Sequence, residues 1–140
     1  MAAHYLEHLF SPRSIALFGA SERPESVGAR VYLNLIQDKF SGSVYPINPK
    51  HKKIHVNRCY PSIEALYTPI DLAVISTPKA AVPEIIHSCG EHGVRAVIIL
   101  SAGFKDEKDN GPGLLKAILE EASRNRMRIL GPNCLGLIRP

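Results

Sequence analysis

The chain has 140 residues, 45% of them hydrophobic and 21% charged, a composition that fits one globular domain with a real core. Gly and Pro are scattered rather than periodic, which excludes collagen-like and low-complexity character, and the longest apolar run, residues 96–100, is far short of a membrane span. The formal charge is +4, from 17 Lys and Arg against 13 Asp and Glu, which favours an anionic partner without choosing among nucleotides, nucleic acid and membrane surfaces.

The first residues lack a basic start followed by an apolar run, so no signal peptide is read there and the expected location is the cytoplasm. Tyr5, Leu6, Leu9 and Phe10 share one face of a short lead-in helix. Residues 14–20, SIALFGA, form a continuous apolar run ending in small residues, the mark of a buried strand. Residues 27–40 carry Val27, Val31 and Leu35 on one helical face, with Tyr32, Ile36 and Phe40 beside it. A shorter strand follows at 43–48, where Pro46 removes a ladder donor. Residues 61–66 read as a short helix with Ser62 near its start.

The second half repeats the alternation. Residues 71–76, DLAVIS, are a buried strand, and 80–89 are a helix with Pro83 in its first turn and Gly90 and Gly93 closing it. Residues 94–101 are the strongest strand, 113–125 an amphipathic helix, and 128–130 a last short strand. Strand and helix thus alternate about five times with short connections. Right-handed crossovers then give an α/β, Rossmann-like, doubly wound and mainly parallel sheet of about five strands. Ligands of such sheets bind beyond the carboxyl ends of the strands, which singles out the loops after residues 20, 48, 76 and 101, and the segment after the last strand.

The first of these loops joins a strand to a helix through Gly19, Ala20 and Ser21, with Ser26 as helix cap and Val27 and Gly28 at the helix start. Free amides and the helix dipole attract a phosphate there, although the G-x-G-x-x-G spacing is absent and the glycines also suit plain packing. In the second loop, Asn48-Pro49-Lys50-His51-Lys52-Lys53, cations stand where NAD sites carry a carboxylate. That suits a ribose bearing an extra phosphate, as in CoA or NADP, with Lys50 as ligand and Lys52 and Lys53 in solvent. Ser76, Thr77 and Pro78 line a flat base or a slender arm, or Thr77 simply caps a helix. Ser101, Ala102 and Gly103 let a backbone come close, or form a simple turn. Asn133 donates and accepts beside the cleft, with Cys134 as a lining residue.

Other chemistry is not indicated. Trp is absent and aromatics make 6%, which leaves no stacking platform for single-stranded nucleic acid. Cys59, Cys89 and Cys134 have no CxxC spacing, and the six histidines form no HxH or HExxH pattern, so neither disulfides nor a metal site is expected.

The landmarks SPRSIALFGAS with Ser26-Val27-Gly28, VYPINPK, CYPSIEAL, DLAVISTP, VRAVIILSAGF and RILGPNCLG, taken in order, resemble the CoA-binding domain shared by the succinyl-CoA synthetase alpha chain and the NDP-forming acyl-CoA synthetases. The form with NPK and SAGF looks closest to ADP-forming acetyl-CoA synthetases. Similar modules begin bacterial protein lysine acetyltransferases. The resemblance covers nearly the whole chain. It implies CoA or acyl-CoA as ligand, phosphate contacts at Gly19, Ala20, Ser21, Ser26, Val27 and Gly28, an approach by Lys50, and lining by Ser101, Ala102 and Gly103. It also implies that 1–140 is the N-terminal domain of a longer protein, with a phosphohistidine domain or an acetyltransferase domain beyond it.

The expected function is therefore a CoA-binding module that positions CoA for thioester formation from an acyl phosphate, itself without catalysis. The alternatives are a CoA-sensing domain of a lysine acetyltransferase and an NADP-binding oxidoreductase domain. Neither nucleic acid nor a membrane is an expected partner.

Overall fold

The computed structural model describes residues 5–37 and 40–132. In chain order it has α1 (Tyr5–Phe10), β1 (Ser14–Phe18), α2 (Val27–Gln37), β2 (Ser43–Ile47), β3 (Lys53–Ile54), β4 (Asn57–Arg58), β5 (Leu72–Ile75), α3 (Val82–His92), β6 (Ala96–Ile99), α4 (Gly111–Arg124) and β7 (Arg128–Leu130). Short 3-10 turns sit at Ile63–Ala65, Lys79–Ala81 and Lys108–Asn110. Five strands form one sheet in the order β2-β1-β5-β6-β7, and every neighbouring pair is parallel. The chain winds outward from β1 to β2, then crosses to β5 and winds the other way. This is the expected Rossmann-like topology, with its switch point between β1 and β5.

Apart from Ser14 at the start of β1, the three central strands are apolar because both their faces are covered. Ala16, Phe18, Ala73, Ile75, Val97 and Ile99 meet Ile63, Ile86 and Ile118 on one face. Ile15, Leu17, Leu72, Val74, Ala96 and Ile98 meet Tyr32, Ile54 and Cys59 on the other. The amino ends of β1 and β5 are pinned by polar contacts. Asp71 Oδ2 accepts from the Arg13 amide at 2.8 Å, and the Asp71 amide donates to Ser14 Oγ at 2.9 Å. Pro46 sits in edge strand β2, and its carbonyl accepts from the Tyr60 amide at 2.9 Å.

Several elements differ from the sequence expectation. β1 ends at Phe18 because Gly19 turns to φ +86°. The 61–66 helix is a single 3-10 turn. Two-residue strands β3 and β4 pair antiparallel, Lys53 with Arg58 and Ile54 with Asn57. Strands that short have no periodicity to read, and the His55-Val56 tip lacks the usual hairpin glycine. Gly90 lies inside α3, packed on Asn125, and only Gly93 closes that helix. Within α2 the buried stripe is Gly28, Ala29 and Tyr32, while Val27 is 53% exposed. Seating Gly28 against the sheet turns Val27, one position and about 100° away, toward solvent.

The seat of Gly28 governs the carboxyl end of the sheet. The Gly19 amide donates to the Ile47 carbonyl at 3.0 Å, and the Phe18 carbonyl accepts from both the amide and Oγ of Ser76, at 3.0 and 2.9 Å. A Cβ on Gly28 would lie 2.0 Å from the Gly19 carbonyl oxygen and 3.1 Å from Ser76 Oγ. No side chain fits, so the helix start can close on the strand ends only as glycine. Gly28→Ala is expected to lower the unfolding free energy by about 3 kcal/mol in urea titration. Ile86→Ala, which empties a fully buried site under α3, is expected to cost about 2–5 kcal/mol in the same measurement. A Gly28→Ala midpoint equal to wild type would contradict the close contact described here.

Candidate functional site

Beyond the carboxyl ends of β1, β2 and β5 opens a cavity of about 1140 Å3. It is larger than the few hundred cubic ångströms that suffice for a small metabolite. Gly19, Ser21, Ser26, Val27, Gly28, Asn48, Lys50, Ser76, Thr77 and Pro78 all line it, so three of the strand-end loops singled out from sequence converge on one space.

Local chemistry sets each of them. Ser26 caps α2: its Oγ accepts from the Ala29 amide at 3.1 Å, and its carbonyl accepts from the Arg30 amide at 3.2 Å. Helix geometry leaves the Val27 and Gly28 amides without an intrahelical acceptor, at the positive end of the helix dipole and at the cavity wall. Ser21 Oγ accepts from the Arg23 amide at 3.0 Å and folds the loop back on itself. Asn48 joins the first two loops: its Nδ2 donates to the Ala20 carbonyl and its Oδ1 accepts from the Lys50 amide, both at 2.9 Å.

The remaining sequence candidates fall elsewhere. Ala20 is fully buried and turns its methyl into the core, so its part in the loop is its carbonyl. Gly28 owes its missing side chain to the loop backbone rather than to a ligand. Ser101 is buried and donates its hydroxyl to the Thr77 carbonyl, one step behind the cavity wall. Ala102 and Gly103 are exposed and lie outside the lining, and the Lys79 side chain lies against Gly103. Lys79 Nζ donates to the Gly103 carbonyl at 2.9 Å and to the Lys108 carbonyl at 3.3 Å. Asn133 and Cys134 lie outside the described residues.

The basic second loop contributes less charge than its sequence suggests. Lys50 and His51 line the cavity, whereas Lys52 and Lys53 turn away into the hairpin, as expected of solvated residues. The cavity gains a cation that sequence reading missed, Arg23, and four carboxylates: Glu22, Glu25, Glu64 and Glu84. Glu22 is drawn aside. It accepts from the His55 amide, and its Oε1 lies 3.8 Å from His55 Nδ1. His55 stacks on Tyr32 at 6.2 Å between centroids, and Asn57 donates to the Tyr32 hydroxyl at 2.6 Å. The β3–β4 hairpin is thereby strapped across α2 and the first loop.

A second wall was also missed: Pro61, Ser62, Ile63 and Glu64 on one side and Ala81, Glu84, Ile85 and Ser88 on the other. The rule that points to strand ends does not point to residues flanking them. Glu64 is held below the usual glutamate range, first by its own backbone amide, with the Ser88 and Ser62 hydroxyls and His92 adding to it against partial burial. Burial pushes the Cys59 and Cys89 thiols up, which suits neither to nucleophilic work. No helix among the described residues is long and apolar enough to cross a membrane.

The model of the CoA binding domain family matches residues 13–140. The chain is 38% identical over 133 residues, 95% of its length, to ADP-forming acetate–CoA ligase II of Archaeoglobus fulgidus, of which it covers 20%. It is 37% identical over 137 residues to the alpha subunit of ADP-forming acetate–CoA ligase I of Pyrococcus furiosus, covering 95% of this chain and 30% of that subunit. Among solved structures it matches the apo form of a dinucleotide-forming acetyl-coenzyme A synthetase 1 from Ca. Korarchaeum cryptofilum, with a TM-score of 0.85, 37% identity, and coverage of 94% of this chain and 28% of that one. The chain thus spans a fifth to a third of the length of these relatives. These relatives are named as ligases and synthetases, and give no support to the acetyltransferase or oxidoreductase alternatives. With a family match running from residue 13 to residue 140, the chain belongs to the CoA-binding domain family.

Proposed function

We propose that residues 1–140 serve as the CoA-holding domain at the start of a larger ADP-forming acyl-CoA synthetase. In that reaction the CoA thiol attacks an acyl phosphate, a thioester bond forms, and the C–O bond to phosphate breaks to release inorganic phosphate. This domain would hold the nucleotide end and direct the thiol toward an acyl phosphate made elsewhere in the parent. Positioning of this kind supplies up to about 7–11 kcal/mol of the barrier. Free Cys59 and Cys89 suit a reducing compartment, in keeping with a cytoplasmic site of action.

The observation that carries this reading is the meeting of the α2 start with Lys50 at one cavity wall. The Val27 and Gly28 amides, with Gly19, Ser21 and the Ser26 cap, would receive the pyrophosphate. Lys50, held by Asn48, would receive the 3′-phosphate. Ser76, Thr77 and Pro78 would border the ligand between the two. Ser101, Ala102 and Gly103 would serve the thiol arm where it leaves the cavity, and Asn133 would be a further CoA contact.

Isothermal titration tests this. CoA is expected to bind the chain, and dephospho-CoA, which lacks the 3′-phosphate, more weakly. Lys50→Ala is expected to weaken CoA binding on the order of tenfold, the size of one charged hydrogen bond, with little change for dephospho-CoA. Absence of heat with millimolar CoA would refute the reading. Equal losses for both ligands would remove Lys50 from the 3′-phosphate.

A further inference from the structure

The 3-10 turn at Lys79–Ala81 stands between the cavity and the segment that follows β6. Pro78 and Ala81 line the cavity, while the Lys79 side chain reaches the other way. Its stem lies against Gly103, where a Cβ would come within 3.2 Å of Lys79 Cδ. Its Nζ donates to the Gly103 carbonyl at 2.9 Å and to the Lys108 carbonyl at 3.3 Å. One ammonium group thus joins both ends of the 103–108 segment to the turn after β5. Two of its three donors are used, both on main-chain oxygens, and a charged donor makes the stronger bond.

The segment it holds is otherwise open. Ser101 and Phe104 are buried, but Ala102, Gly103 and residues 105–110 are exposed. The Asp106 amide donates to the Gly103 carbonyl at 3.2 Å, which closes the segment on itself without fixing it to a neighbour. The Lys79 bonds span 24 and 29 positions, so they fix one loop against another. Fixing a long side chain costs entropy that offsets much of the bond, and the tie therefore contributes more to where the loop stands than to stability. Small residues such as Ala102 and Gly103 meet a ligand through their backbone, and their use depends on where that backbone is held.

We propose that Lys79 is a positioning residue for the thiol arm. By tying Gly103 and Lys108 to the turn after β5, it sets the gap through which the arm leaves the cavity, and it acts through the loop rather than on the ligand. The inference rests on the CoA-binding reading above. The Ser101 hydroxyl, bonded to the Thr77 carbonyl, holds the same two loops together at the base of the gap, and Lys79 holds them at its mouth.

The test is titration of wild type, Lys79→Met and Lys79→Arg with CoA and with the methyl ester of 3′-phospho-ADP. That ester keeps the base, ribose, phosphates and charge of CoA and carries a methyl group in place of the arm. Wild type is expected to bind CoA on the order of tenfold more tightly than the ester. Lys79→Met, which keeps the stem and loses the donors, should narrow that preference to about threefold or less. Lys79→Arg, which keeps donors, should restore it. Each preference is a ratio within one sample, so a partial loss of folded protein, the mark of a merely structural role, leaves it unmoved. The full preference retained by Lys79→Met, or a narrowing as large in Lys79→Arg, overturns the tie. Equal binding of the two ligands by wild type also overturns it and leaves CoA binding intact. Should Lys79→Met bind neither ligand, an undiminished preference in Lys79→Gln overturns the tie and a narrowed one upholds it. A wild type that binds neither ligand overturns both readings.

Discussion

The structure depends on one close approach: the start of α2 against the carboxyl ends of β1 and β5, with Gly28 over the Gly19 carbonyl and Ser76 beside both. The Phe18 carbonyl takes two hydrogen bonds from Ser76 there, and Gly19 takes the Ile47 carbonyl. Three strands and a helix dipole are thereby brought to one point, with the Ser76 hydroxyl as the side-chain group among them. The cavity is what remains beyond that point. Its anion-seeking wall is backbone, positioned by the same contacts that hold the sheet together, so binding capacity and fold share their most crowded atoms.

Around this wall the charges are divided rather than uniformly positive. Arg23 and Lys50 face Glu22, Glu25, Glu64 and Glu84 across the same space. A net positive chain charge says little about such a site, because most of the cations lie elsewhere. Glu22 and Glu25 flank Arg23 on the first loop, while Glu64 and Glu84 come from the 61–64 segment and α3, so both signs of charge reach the cavity from more than one element. The hairpin contributes by drawing Glu22 toward His55, away from the phosphate wall.

Much of this was legible in the residues. The runs at Ser14–Phe18, Leu72–Ile75 and Ala96–Ile99 announce strands covered on both faces, and from them follow the parallel sheet and the end at which a ligand sits. Ser26 could be placed because strand-to-helix turns have few solutions, and Asn48 and Lys50 because they directly follow β2. The hairpin, the second wall and Arg23 could not. Two-residue strands carry no period, and Glu64 reaches the cavity through tertiary packing of Ile63 on α3 rather than through a strand end. Ala102 and Gly103 follow β6, one strand past the switch point, and stand outside the cavity lining beside Lys79.

The polar staple at the opposite end of the sheet has a consequence for how the molecule assembles. Ser14 and the Asp71 amide are partners 57 positions apart, and β1 can complete its pairing only when β5 exists. During synthesis β1 must therefore wait, its oily faces uncovered, until β5 at Leu72–Ile75 has been made. Non-local closure of this kind slows folding and lengthens the interval in which a nascent chain depends on chaperones.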